Sequence, residues 1–418
     1  MSQVPAGGGR IAARFVALPS GEWLCPGEIV WDGGGRIVSV RRWRGPAAQD
    51  VAVLPGLVDA HAHLQLPALT RAPRDFVPWV TAVMAARAAT TPAAERATIR
   101  RAVDSLLASG ATAIGDIDAS GRVAAVLAAG GVQARCYREL TGFHLDARAA
   151  RELVRTRWRP SLPPVAAGLS PHAPYSVSAA LFAAAARRCR HLAIHCAETP
   201  EEQRFLRTGT GPFRELLERL GRLPADYQPP GIGAVRWLER LGLLRATTQL
   251  VHCQELERGD AARIAAAGTS IVVCPGTIAW FRRSLPPVPA WLRAGIAVGL
   301  GTDSLASNTT LSMRDELRRA ALAWPELAPA TLLAMATRHG AQSLGLARAG
   351  RIRRGARAAL LVAPAVASGA STLTAFVHGE LPLLRVLVGG RTRWRGHGDC
   401  VPVGDATATA TRATGRGR

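Results

Sequence analysis

The chain has 418 residues and a formal charge of +22, and all 52 of its basic residues are Arg. With no Lys, Schiff-base chemistry, a phosphate-binding P-loop lysine and a metal pair bridged by a carbamylated lysine are excluded. Hydrophobic residues make up 48% of the sequence, ample for a large core, yet no apolar run approaches the roughly 20 residues that span a bilayer.

The first residues, MSQVPAGGGR, lack the basic-then-apolar order of a secretory signal. Seven Cys are scattered with no CxxC pair, so neither a disulfide framework nor a Cys-type zinc site is expected, and the chain reads as a reduced, cytoplasmic protein. The Arg excess could attract a polyanion. It forms no single stripe, however, and aromatic residues are only 5%, which leaves no stacking platform. It therefore reads as compositional bias spread over a surface, and a nucleic-acid partner is not expected.

Residues 11–53 read as short strands and turns, IAARFV and then GEWLCPGEIVWDGGGRIVSVRR, with GGG marking a reversal. Residues 359–403 read similarly, with ALLVA, AFVHG and LLRVLVGG. These ends predict one composite β-sandwich domain over 1–53 and 359–405, with a low-complexity, disordered tail at 406–418. Between them, over 54–358, apolar runs alternate with Ala- and Arg-rich helical stretches, the pattern of parallel β/α units. Eight runs qualify as strands: VAVLPGLVDAHAHL, GATAIGDID, VQARCYREL, VAAGLSPHA, HLAIHCAE, TQLVHCQE, TSIVVCPG and IAVGLGTDS. Eight is the number that closes a (β/α)8 TIM barrel, so an α/β fold of that kind is predicted.

Polar and ionisable residues gather at the C-terminal ends of these runs, where barrel active sites are built. In a strand, residues two apart share a face, so His61 and His63 would point inward together, and neutral imidazole suits borderline metals. An HxH pair on a surface strand would look the same; here it follows a strand buried on both sides. His195 ends the fifth run in the same layer. Asp303 closes the eighth, where an Asp could cap the next helix or complete three imidazoles as a fourth ligand. His252, ending the sixth run, is either a further ligand or a residue that positions water. Glu198 could reach a substrate over the metal or could be a solvated loop acid beside Glu201 and Glu202.

PGLVDAHAHL, HCAE, LVHC and GTDSLAS, in this order and spacing, resemble the amidohydrolase superfamily, within it the chlorohydrolase-like and adenosine-type aminohydrolase branch. The similarity runs from about Leu54 to Leu346, and GRIRRGARAALLV resembles the return into the terminal sheet. HCAETPEEQRFLRTGTGPFRELL and PPGIGAVRWLERLGLL are similar to the aminodeoxyfutalosine, methylthioadenosine and S-adenosylhomocysteine deaminase group. The resemblance implies one divalent ion, Zn or else Fe, held by His61, His63, His195 and Asp303. It places the proton shuttle on Glu198 and the water-orienting imidazole on His252. SPHAPYSVS resembles the segment that brings a substrate-contacting histidine, here His172. Glu139 and Arg138, ending the third strand, Trp79 and Ser304 are further expected substrate contacts. One segment departs: where the family has CPxSN, this chain reads CPGTIAWFRR.

The expected function is hydrolytic deamination of an aminated heteroaromatic ring in an adenosine-like small molecule, through a hydroxide formed on the metal. An amide or a chlorinated triazine could use the same metal. A non-catalytic polyanion binder or scaffold is the reading from another class. A homodimer is common for such barrels.

Overall fold

The two sheets draw on different parts of the chain. The computed structural model describes residues 4–69, 71–159 and 161–396. Strands β1 (Gly9–Ala17), β2 (Trp23–Leu24), β3 (Gly27–Trp31), β4 (Ile37–Arg42) and β5 (Gln49–Pro55) come from the first residues. The barrel strands follow: β6 (Leu57–Ala62), β7 (Ala111–Asp118), β8 (Gln133–Leu140), β9 (Val165–Pro171), β10 (Leu192–Cys196), β11 (Thr248–His252), β12 (Ser270–Val273) and β13 (Val298–Leu300). Last come β14 (Leu360–Pro364), β15 (Arg385–Val388) and β16 (Arg391–Arg395).

Both termini build the first sheet, in the order β16-β15-β14-β5-β1-β3-β4 with β2 on β1. Its halves share a core in which Ile11, Ile29 and Ile37 pack with Leu360, Val362 and Leu387. The predicted GGG reversal lies between β3 and β4. There Gly35 has φ +73°, and a Cβ on it would strike the Gly389 carbonyl, so glycine is required on two counts. Two expectations need correction. The run VAVLPGLVDAHAHL is not one strand: it leaves the terminal sheet at Pro55 and enters the barrel at Leu57, with Gly56 N–H donating to Ala359 O at 3.0 Å and Leu57 N–H to Gly110 O at 2.9 Å. AFVHG is not a strand either. It ends the helix Gly369–Val377, whose start is capped by Ser368 accepting from Ser371 N–H at 3.1 Å. Leu373, Phe376 and Val377 give that helix an apolar face at i, i+3, i+4, which outweighs their strand propensity. The predicted tail at 406–418, with residues 397–405, lies outside the described residues.

The second sheet is the barrel, eight parallel strands in sequence order from β6 to β13. Strands β10, β11 and β13 are buried at every residue, as expected where helices cover the outside and side chains fill the inside. Side chains such as Tyr137, Phe182, Phe205 and Phe213 are fully buried, each contributing about 1.5–3 kcal/mol of transfer free energy. The ring closes through backbone at its functional end. His63 N–H donates to Asp303 O at 2.8 Å, and Asp303 N–H donates to His61 O at 3.0 Å. That approach requires Gly301, where a Cβ would lie 2.7 Å from the His61 carbonyl oxygen. Among the described residues, no helix is long and apolar enough to cross a membrane.

Candidate active site

His61 and His63 leave β6 on one face, their ring centroids 4.9 Å apart. His195 from β10 lies 5.0 Å from His61, and His252 from the end of β11 lies 5.7 Å from it. Asp303, just past β13, completes the ring: its Oδ1 is 3.7 Å from Nε2 of both His61 and His63. Asp303 also sits at φ +59° and His252 at φ +75°, left-handed conformations that cost a non-glycine residue of order 1–3 kcal/mol each. Such strain persists only where the surrounding structure imposes it, and here both side chains line the same cavity.

The donor set fits a divalent cation. Both ring nitrogens of His61 and the Nδ1 of His63 are buried without a hydrogen-bond partner among the described residues. His63 Nε2 and His195 Nε2 lie 3.3 Å apart, so either one carries a proton towards the other or both face a shared cation. Charging the imidazoles is disfavoured: burial, reinforced by His61, pushes His63 down to about 3, and burial holds His195 well below its ordinary value. Neutral nitrogen lone pairs are what a metal needs. His195 Nδ1 lies 3.0 Å from the His172 carbonyl, which fixes the ring with Nε2 towards the cluster. Asp303 Oδ2 accepts from Thr277 Oγ1 at 3.0 Å and Ser307 Oγ at 2.8 Å, leaving Oδ1 for the histidines. Burial would raise Asp303, but its contact with His61 and the surrounding His252 and His63 hold it far below the usual carboxylate range. His61, His63 and Asp303 offer ligand atoms all within 4.8 Å of one another, as do His61, His195 and His252.

Glu198 stands beside this cluster, with Oε2 3.8 Å from His252 Nε2. Burial pushes its carboxyl up to about 7, a value suited to giving and regaining a proton at neutral pH. Its backbone is pinned by its N–H donating to Glu202 Oε2 at 2.8 Å. Glu198, His63, His172, His195, His252, Asp303, Glu139 and Trp79 all line one cavity of about 300 Å³. Its other walls are mainly apolar and aromatic: Phe76, Val83, Met84, Tyr175, Phe213 and Leu217. Glu139 is held by Arg87 at 2.9 Å; burial opposes this, but Arg87, then His172 and His63, bring the carboxyl down to about 2.

Two expected substrate contacts point elsewhere. Arg138 neighbours Glu139 on β8, and strand alternation sends it to the opposite face. There it pairs with Asp118 at 3.2 Å and donates to the Asp118 carbonyl at 2.6 Å. Ser304 is fully buried, 3.1 Å from Ser307 Oγ, and does not line the cavity. Removing one partner of a buried ion pair costs about 3–5 kcal/mol. Arg138→Ala is accordingly expected to lower the free energy of urea unfolding by that amount, and a loss below 1 kcal/mol would contradict the structural role.

Several functional neighbours were not singled out from sequence. Arg87 lies in a helix with no motif around it. Thr277, within CPGTIAWFRR, and Ser307, the last residue of GTDSLAS, lie inside segments that do not by themselves mark them as partners of Asp303. Phe213, Leu216 and Leu217 show a helical stripe legible as buried, but nothing in it says that a cavity lies beyond.

Residues 52–392 match the model of the amidohydrolase family. The chain is 34% identical over 367 residues to the aminodeoxyfutalosine deaminase of Deinococcus radiodurans, covering 79% of this chain and 84% of that one. It is 30% identical over 362 residues to a 5-methylthioadenosine/S-adenosylhomocysteine deaminase of Nitratidesulfovibrio vulgaris, covering 78% and 75%. Among solved structures it superposes on Helicobacter pylori aminofutalosine deaminase in complex with methylthio-coformycin, with TM-score 0.78, 23% identity and coverage of 92% and 99%. It also superposes on the zinc complex of atrazine chlorohydrolase from Arthrobacter aurescens, with TM-score 0.75, 21% identity and coverage of 92% and 95%.

Proposed function

For a chain that belongs to the amidohydrolase family, a family of metal-dependent hydrolases, we propose hydrolytic deamination of the purine ring in an adenosine-like small molecule. The observation that carries this reading is Glu198, a buried carboxyl poised near neutrality between the His–Asp cluster and an aromatic-walled cavity. Amide hydrolysis has no ring nitrogen to protonate, whereas attack on a purine carbon requires a proton on the adjacent nitrogen.

In this reading His61, His63, His195 and Asp303 hold one divalent ion, with zinc the first choice. When bound, the ion supplies Lewis acidity that makes water nucleophilic near neutral pH. The chain's own groups move the protons. Asp303, its Oδ2 occupied by Thr277 and Ser307, and His252, facing Glu198, take the proton of the attacking water. Glu198 gives its proton to the ring nitrogen and helps return one to the leaving amine. Water and the aminated ring become the oxo ring and ammonia. Trp79 stacks on Phe76 at 5.5 Å, and Tyr175 on Phe213 at 4.0 Å, walls suited to a flat base. Glu139, ionised and held by Arg87, is placed to accept from sugar hydroxyls, with His172 beside it.

The test is ammonia release from zinc-loaded protein with 5′-methylthioadenosine, S-adenosylhomocysteine, adenosine and related 5′-substituted adenosines, alongside atrazine as the chlorinated ring. Turnover of at least one adenosine supports the proposal. Chloride release from atrazine with no ammonia from any nucleoside would replace it with the triazine reading.

A further inference from the structure

The segment CPGTIAWFRR, where the sequence departs from its family's pattern, forms a short helix over Pro275–Phe281 that ends in a left-handed turn. Arg282 takes φ +55°, and Arg283 N–H then donates back to Ile278 O at 3.0 Å. The Arg283 side chain packs against Phe76 and Glu198, two residues that line the cavity. Its guanidinium carbon lies 4.4 Å from the centroid of Phe281 and 5.1 Å from that of Phe76. The side chain is only 14% exposed, and its Nη1 meets Glu198 Oε1 at 3.3 Å.

We infer that Arg283 is a positioning residue for Glu198. The inference rests on the proposed role of Glu198 as proton donor. Two aromatic faces and one carboxylate oxygen fix the guanidinium. The guanidinium in turn fixes the carboxyl, so that Oε2 is the oxygen left towards His252 and the cavity. Among the described residues no other side chain is within hydrogen-bond distance of the Glu198 carboxyl. Without Arg283 the carboxyl would be free to rotate about its last torsion, and delivery of a proton to one ring atom would be lost from most conformers.

A second effect has the same source. Burial makes Glu198 keep its proton, while the guanidinium favours the carboxylate left after the proton departs. Arg283 therefore makes a buried acid a competent one. The cation–π contacts hold the charge beside the carboxyl instead of letting it swing into solvent. Among the described residues the one side-chain hydrogen bond of Arg283 at the site is to Glu198, although its charge also reaches His252.

The experiment is a double-mutant cycle on the zinc-loaded enzyme, read by ammonia release with the best nucleoside of the panel. Arg283→Met is expected to lower kcat 10- to 100-fold with KM changed less than threefold and one zinc per chain retained. Arg283→Lys, which keeps the charge, is expected to recover part of the loss. In the Glu198→Gln background, Arg283→Met is expected to cost less than threefold more, because its effect runs through Glu198. A full additional loss in that background, a KM effect without a kcat effect, or unchanged kcat in Arg283→Met would each overturn the inference while leaving the deaminase reading standing. Unchanged kcat in Glu198→Gln, or a panel with no turnover, would overturn both.

Discussion

Glu198→Gln is expected to lower kcat for ammonia release by about 10²–10⁴-fold while the zinc content stays at that of the parent protein. The amide has nearly the same shape and can still accept from Arg283, so packing of the buried side chain is preserved. What it cannot do is give up a proton. The backbone N–H of residue 198 keeps its bond to Glu202, and the ligand candidates lie on other strands or three residues earlier. Steady-state kinetics together with metal analysis of the same preparation separates proton transfer from metal loss. A variant that keeps more than a tenth of the parent kcat would show that the ring nitrogen obtains its proton elsewhere.

His63→Ala is expected to abolish turnover by a different route, through the ion itself. His63 sits 3.3 Å from His195 and 3.7 Å from Asp303, so its loss opens the ring of donors on one side and leaves three candidates. Zinc at 100 times its dissociation constant stabilises a folded protein that binds it by about 2.7 kcal/mol. The parent protein is expected to show this stabilisation as a rise in unfolding temperature when zinc is added after chelation. His63→Ala should show little of it and retain less than half an equivalent of zinc after gel filtration. This readout needs no substrate. Full zinc retention in the variant would mean that His252 stands in the ligand set in place of His63, as the alternative cluster of His61, His195 and His252 allows.

The placement of chemistry along the chain was readable because barrel strands are short, apolar and end in polar residues. Each of the eight runs contains a barrel strand. His61, His63, His195, Glu198, His252 and Asp303 from their ends meet around one cavity, whereas Arg138 and Ser304 do not line it. The HxH spacing could be read because strand alternation is a local rule. The same rule would have assigned Arg138 to the opposite face from Glu139, had it been applied to the third strand. Ser304 was misplaced for a comparable reason: a residue next to a functional one in sequence turns away where the backbone takes the left-handed form at Asp303. The aromatic wall and Arg283 were beyond local reasoning, since Phe76, Tyr175, Phe213 and Phe281 meet only once distant helices pack. Likewise the single run over residues 51–64 hid a change of sheet, because no polar side chain interrupts it between Val51 and Val58, where the chain passes from one sheet to the other.

The seam that closes the barrel has a consequence for the order of events during synthesis. His61 and His63 are translated early, but the backbone that locks them in place, and the Asp303 carboxylate that faces them, arrive only at the far end of the ring. Thr302, which bonds Asp59 beneath the site, follows it by 243 residues. At about 5–20 residues per second, a ribosome takes roughly 10–50 s to cover that distance. Throughout that interval the nascent chain carries imidazoles but no completed pocket for the cation. The backbone seam and the full set of candidate donors can exist only once the last barrel strand has been made.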